Sequence, residues 1–489
     1  MLFNSHIFIL LFLPLLLAGW YFLNWKKKFQ LAQGYLIGMS LWFYAYANLQ
    51  YLWLLLFSCL IGWLLSCLLE KIPSAKGKKA LTGIGCVFHL GLLGYFKYSN
   101  FFLENLNTVF HTDFPMLQIL LPIGISFYTF QQLAYLIDRC RGDAPGDRFF
   151  DYLTFMVYFP QLLQGPILLR SEFMEQLKEP ERRRFHAERF SEGIQFFVFG
   201  LAKKVLLADT LAKAVNYGYS NVSMLDSISA LLLAVGYLTE LYFDFSGYCD
   251  MAVGLGKMIG LEVAENFDAP FHSASVKEFW RRWHMTLGRF FTRYVYIPLG
   301  GNRKGKIRTL CNVMIVMLLS GLWHGAAWTF VLWGFLHGVG MIWDNLEHPH
   351  LPKKWMRQAV TFAYVCMTFV FFRAESIAQG FDVLKSIVSL KWNGFVFQMA
   401  SALDLTEFYM ITKALSMKLP GLLSWFWFGI FVVLIAICVR VLSGEKVSDV
   451  VVLQKQKGYG RLYPVLLAVL FTWSMISMTG VSEYLYFSF

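Results

Sequence analysis

His324 stands in the run from Cys311 to Trp343, CNVMIVMLLSGLWHGAAWTFVLWGFLHGVGMIW, and no Lys, Arg, Asp or Glu interrupts the chain between Arg308 and Asp344. An imidazole in a stretch long enough to lie within a bilayer is costly to keep there, so it is a functional candidate by default. The chemistry it suits is general-base catalysis, in which it takes the proton of an attacking hydroxyl, an effect of typically ~10²- to 10⁴-fold. Gly321 and Gly325 flank it and let backbone or substrate come close. Trp323 and Trp328 are placed to wall the site and keep water out.

A second cluster lies in residues 262–308, EVAENFDAPFHSASVKEFWRRWHMTLGRFFTRYVYIPLGGNRKGKIR. Apolar and aromatic residues at 279, 280, 283, 287, 290 and 291 recur at helical spacing, interleaved with arginines. This predicts an amphipathic helix at the cytoplasmic interface, with His284 on it. Arg289 and Arg293 are expected to anchor to lipid phosphates, whereas Arg281 or Arg282 is a candidate for contact with an anionic substrate. The turn Pro298–Lys304 is rich in backbone amides and cations. Asn302 and Arg303 there could hold a pyrophosphate or a thioester-bearing carrier. His337 reads as a hydrogen-bonded packing residue. Asp244 and Asp250, in YFDFSGYCD, are expected to pair with cations or backbone amides and to hold a re-entrant segment.

The elements that must position these residues follow from composition. Of 489 residues, 57% are hydrophobic, 18% aromatic and only 15% charged. The mean hydropathy is +0.51. That is more apolar surface than a soluble core of this size can bury, so the chain is an all-α polytopic membrane protein. The net charge of +12 then reports basic cytoplasmic loops and anionic lipid, and nucleic acid is not implied. Eight cysteines without a CxxC pair or regular spacing read as small hydrophobes, neither a disulfide framework nor a metal site.

Residues 5–23 are expected to span as an uncleaved first helix, since the positive charge of Lys26, Lys27 and Lys28 follows the apolar stretch. The positive-inside rule puts those lysines in the cytoplasm and the amino terminus outside. Residues 32–49 and 51–69 form a hairpin returning to the basic cluster at 71–79, then 80–98 go out and 117–137 come back to Arg139 and Arg141. Residues 151–169 carry Pro160, Gly165 and Pro166 and are expected to be kinked or re-entrant. Lipid cannot satisfy irregular backbone, so such a segment must be enclosed by protein or line a cavity. Further spans are expected at 190–208, 228–246, 309–321, 326–343, 357–373, 423–441 and 462–478. The result is one integral domain over 1–489 with about a dozen membrane or re-entrant helices around an internal chamber. Its motif-bearing core covers about 117–345, and its C-terminal helices about 355–489.

Five blocks occur in order: YFDFSGYCDMAVGLGKMIG (242–260), ENFDAPF (265–271), EFWRRWHMTL (278–287), YVYIPLGGNRKG (294–305) and SGLWHGAAWTFVLWG (320–334). Together they resemble the membrane-bound O-acyltransferase family, in particular its bacterial branch that serves alginate and peptidoglycan O-acetylation. The likeness extends from the LFNSHIFILLFLP opening to the YLYFSF ending. It implies transfer of an acetyl group from a cytoplasmic donor, acetyl-CoA as co-substrate with no bound cofactor, toward a hydroxyl on an extracytoplasmic polysaccharide. The acceptor stays open among alginate, peptidoglycan, cellulose and other exopolysaccharides. It further implies His324 as catalytic base, His284 as a second site residue, an SGNH-hydrolase-type extracytoplasmic partner, and residence in a bacterial cytoplasmic membrane. Two alternatives stay open. One is a polysaccharide or lipid-linked sugar transporter with His324 in a proton relay, which repeats of the membrane segments would favour. The other is D-alanylation of teichoic acid within the same family.

Overall fold

The computed structural model describes residues 1–46, 49–346, 353–442, 444, 446–458, 460–478 and 484–485, and among these every regular element is helical. Residues 486–489 of the YLYFSF ending lie outside them. Seven helices are long and apolar enough to cross a membrane: α1 (Phe8–Trp25), α2 (Leu49–Lys71), α3 (Ala75–Phe110), α4 (Ser227–Ile259), α5 (Lys306–His324), α6 (Lys354–Arg373) and α7 (Pro420–Leu442). At about 1.5 Å per residue even the shortest of these matches most of a hydrocarbon core. Other expected spans are helical but shorter or less apolar, among them Phe29–Ala45, Ile125–Arg141, Ala187–Ala202, Trp328–Asn345 and Leu462–Ser477.

Several boundaries move. The span expected at 80–98 is a 36-residue helix, α3, interrupted by a π-turn at Gly94–Tyr98. Residues 112–122, expected partly within the returning span, have no regular secondary structure, and helix begins only at Ile125. The kink expected in 151–169 is present: helix Phe149–Val157 stops at Tyr158, one turn follows at Phe159–Leu162, and the chain then runs irregularly to Arg170. Residues 152–168 are buried throughout, as irregular backbone in an apolar surround requires.

In lipid, helices gain little by hiding apolar surface from one another, so close packing depends on small residues. Helix Ala187–Ala202 lies antiparallel on α4 through two pairs of glycines. A Cβ on Gly193 would sit 2.6 Å from the Gly254 carbonyl oxygen, and one on Gly200 2.6 Å from that of Gly247. Each pair is seven residues apart, two helical turns on one face. Beyond the glycines, Lys203 reaches Asp250 at 2.7 Å and Lys204 reaches Asp244 at 2.6 Å and Asp209 at 2.8 Å. The aspartates therefore pair with cations as expected, but they tie α4 to its neighbour and do not hold the re-entrant segment. We expect Gly200→Ala to cost about 1–3 kcal/mol through overpacking. A lower thermal midpoint of the detergent-solubilised protein would register it, and an unchanged midpoint would mean the helices part freely.

The segment 276–293 departs most from expectation. It is two short helices, α8 in the space between spans (Val276–Arg282) and a second at Met285–Phe291, broken at Trp283–His284. Phe279, Trp283, Leu287, Phe290 and Phe291 are all buried, so this is interior structure and not a helix resting on the interface. Arg289 and Arg293 are likewise not lipid anchors. Arg289 forms a two-pronged pair with Glu172, and Arg293 binds Asp138 at 3.0 Å and Asp143 at 2.9 Å. With Arg139–Glu70 and Arg170–Asp147 they bind the basic ends of several helices into one charged face. The hydrogen bond to Asp147 pushes the Arg170 guanidinium pKa above its ordinary value.

Candidate active site

His324 is the last residue of α5, where the helix stops and Gly325 turns extended. It is 3% exposed. Its ring lies against Trp323 (centroids 4.9 Å), Trp333 (5.2 Å) and Phe372 (5.2 Å). Trp323 itself packs on Phe127 and Phe130. Trp328 does not wall the site: it is 56% exposed and donates to Asn105 at 2.8 Å. Trp333 and Phe372 occupy the place expected for it. Gly321 and Gly325 serve packing. A Cβ on Gly321 would strike the Phe330 carbonyl oxygen, and one on Gly325 the Phe330 ring.

His284 comes to the same place from the other block, its ring centroid 6.3 Å from that of His324 and 6.0 Å from Trp323. Its backbone is left-handed (φ 46°, ψ 52°), a conformation that costs a non-glycine residue and persists only where surroundings impose it. Asn266 imposes it. Its carbonyl accepts the Met285 amide at 3.0 Å, and its side-chain Oδ1 accepts the Thr286 amide at 3.1 Å and the Thr286 hydroxyl at 3.0 Å. These bonds cap the orphan amides that open the second short helix. The same Oδ1 lies 3.2 Å from His284 Nδ1. Because Oδ1 can only accept, Nδ1 carries the proton and Nε2 is the acceptor face of the ring. Thr286 Oγ1 in turn accepts the Ile167 amide at 3.0 Å, fastening the irregular segment to this break.

His337 contrasts with both. Its Nδ1 accepts the Trp280 indole N–H at 3.2 Å and its Nε2 faces Thr368 Oγ1 at 2.9 Å. Both nitrogens are engaged, so it is the packing residue expected.

Two clefts approach the histidines. One is lined by Lys97, residues 121–127, Leu163, Trp323 and His324. The other, the larger of the two, runs along α5 as far as Ser320, one turn before His324, with Lys277, Arg281, Arg289 and Met285 on its wall. Arg281 lies in this cleft without an ion pair among the described residues, whereas Arg282 is committed to Glu278 at 3.1 Å and Asp268 at 3.5 Å. Asn302 and Arg303 are exposed on their turn and line neither cleft. No group of three His, Cys, Asp or Glu side chains gathers as a metal site among the described residues.

Residues 147–378, which contain both histidines and Asn266, match the model of the membrane-bound O-acyltransferase family. A peptidoglycan O-acetyltransferase of Helicobacter pylori is 36% identical over 80% of this chain and 80% of its own length. The chain belongs to the membrane-bound O-acyltransferase family. It is a multi-pass membrane O-acyltransferase, and its relatives include polysaccharide O-acetyltransferases: a probable alginate O-acetylase AlgI of Pseudomonas putida is 39% identical over 77% of this chain and 78% of its own. A teichoic acid D-alanyltransferase of Bacillus subtilis matches more narrowly, 28% identical over 52% of the chain.

Two residues of this acyltransferase escaped the sequence reading. Asn266 lay inside a noted block without a sign of its own. Lys97 had a sign, a lone cation in the apolar run of α3, but it was absorbed into the end of a span.

Proposed function

We propose that this acyltransferase moves an acetyl group from acetyl-CoA in the cytoplasm to a hydroxyl acceptor outside, for O-acetylation of an envelope polysaccharide. The observation that carries the reading is the pair of buried histidines, one from each motif block, flanked by the two clefts. His324 takes the proton of the attacking hydroxyl as its oxygen bonds to the thioester carbonyl carbon. The carbon–sulfur bond then breaks, and the proton passes to the departing thiolate. His284, its Nε2 turned into an acceptor by Asn266, orients the incoming hydroxyl. Arg281 meets the phosphates of the donor in the larger cleft, and the cleft at Lys97 serves the acceptor side. This sidedness rests on the charged face bound by Arg139, Arg170, Arg289 and Arg293, which the positive-inside rule turns to the cytoplasm. The amino terminus is then outside, the membrane is the bacterial cytoplasmic membrane, and an SGNH-type partner completes transfer to the polymer.

O-acetyl content of each envelope polysaccharide, compared between a deletion strain and one complemented with this chain, tests the reading and identifies the acceptor. Loss of acetyl ester from one polymer is the expected result. Loss of D-alanyl ester from teichoic acid would move the activity to the narrower set of relatives, and no change in either ester would refute acyl transfer.

Trp323 supplies a sharper prediction. Its indole N–H is buried without an acceptor among the described residues, which costs about 1–3 kcal/mol unless something accepts there. The acyl carbonyl oxygen, which gains charge in the transition state, is that acceptor in our reading. Trp323→Phe, which keeps an aromatic ring on Phe130 and removes the N–H, is expected to lower the transfer rate about 10²-fold at unchanged membrane abundance. A wild-type rate would exclude this donor.

A further inference from the structure

A helix end leaves its last carbonyls without intrahelical donors. At the end of α5 these belong to the residues around His324. The Gly321 oxygen accepts from the Gly325 amide at 3.3 Å, within the turn itself. The other three are met from α3: the Tyr98 hydroxyl donates to the Leu322 oxygen at 2.5 Å, and the Lys97 ammonium donates to the Trp323 oxygen at 2.7 Å and the His324 oxygen at 2.9 Å. Ser126 Oγ stands 3.5 Å from the same ammonium. Lys97 and Tyr98 close the π-turn Gly94–Tyr98. Such a turn inserts one extra residue into a helix and shifts which side chains face a neighbour, and it is common at functional sites.

A lysine within a membrane-spanning helix is costly unless its charge is used. Here it sits at the negative end of the α5 dipole, where a cation is favoured. It is also on the wall of the same cleft as His324. We propose that Lys97 is a positioning residue for the transfer reaction, holding the His324 backbone at the point where α5 stops and the chain turns extended. The one ammonium donates to both the Trp323 and the His324 oxygens. Without it, two carbonyls at the lip of the cleft lose this donor, and the last turn of α5 loosens. Displacement of a catalytic group by about 1 Å can cost about 10²-fold in rate.

The inference rests on His324 acting as the base, so the two are tested side by side. Membranes holding Lys97→Met, Lys97→Arg, Tyr98→Phe or His324→Gln at matched abundance are assayed for transfer from radiolabelled acetyl-CoA to endogenous polymer. The expected result is a kcat about 10²-fold lower for Lys97→Met with KM for acetyl-CoA unchanged. Lys97→Arg, which keeps charge and donors, recovers most of the rate, and Tyr98→Phe lies between. A wild-type kcat for Lys97→Met beside an inactive His324→Gln overturns the role of Lys97 and leaves that of His324 standing. Activity in both overturns both. A raised KM with unchanged kcat would make Lys97 a donor-binding residue and also overturns the inference. Should Lys97→Met fail to accumulate, Tyr98→Phe and Lys97→Arg decide, since wild-type kcat in both is incompatible with a cap that positions His324.

Discussion

Cells whose only copy of the enzyme carries His324→Gln lose O-acetylation of the acceptor polymer, with the transfer rate about 10³-fold below wild type. Glutamine nearly preserves the volume between Trp323, Trp333 and Phe372 and keeps polar atoms in the place of the ring nitrogens. The helix end and its contacts therefore stay, and only the exchangeable proton acceptor goes. The loss should appear in kcat, since an interaction made in the transition state lowers kcat and kcat/KM together. Measuring acetate released by mild base from the purified polymer, at membrane abundance matched by immunoblot, gives the ratio. Acetylation within a few-fold of wild type would reduce His324 to a packing residue beside His337.

The second large effect is on stability. Lys204→Met strips the cation from Asp244, which is 1% exposed and also accepts the Leu485 amide at 3.1 Å. Removing one partner of a buried ion pair typically costs 3–5 kcal/mol, because the remaining charge cannot hydrate. The Lys204–Asp244 contact joins α4 to its glycine-matched neighbour, and the next residue of α4, Phe245, packs its ring on His284. Folded protein recovered by size-exclusion chromatography in detergent should drop sharply for Lys204→Met. The paired change Lys204→Met with Asp244→Leu should recover much of it, since apolar residues of similar volume often replace a buried pair at little cost. Equal loss in the single and double variants would show that the lysine stem or its pair with Asp209, rather than its pair with Asp244, holds the helices.

Much of the fold was legible because the bilayer simplifies the code. Apolar length marks helices, and clusters such as Lys26–Lys28 and Arg139–Arg141 mark their ends. Pro160 and Pro166 announced the irregular segment through the missing N–H of proline, and the structure encloses it as argued. His324 stood out as a candidate because it is an ionisable residue in a long uncharged run, but His337 lies in the same run and is a packing residue, so the run alone did not tell the two apart.

The rest depended on partners far away in the chain. Apolar residues from 279 to 291 do recur at helical spacing, but that period reports only which face is buried, not whether backbone continues through it. The break at His284 is stabilised by Asn266, and a left-handed histidine has an unfavourable local energy that no window of sequence would predict. The arginines followed the same logic. Arg289 and Arg293 look like lipid anchors in a linear reading because Glu172 and Asp138 lie more than a hundred residues upstream. Membrane class, family blocks and the candidate base are properties of residue type and order. Which His284 nitrogen carries the proton, and what holds the end of α5, are set by hydrogen bonds between distant segments, and those exist only once the helices have packed.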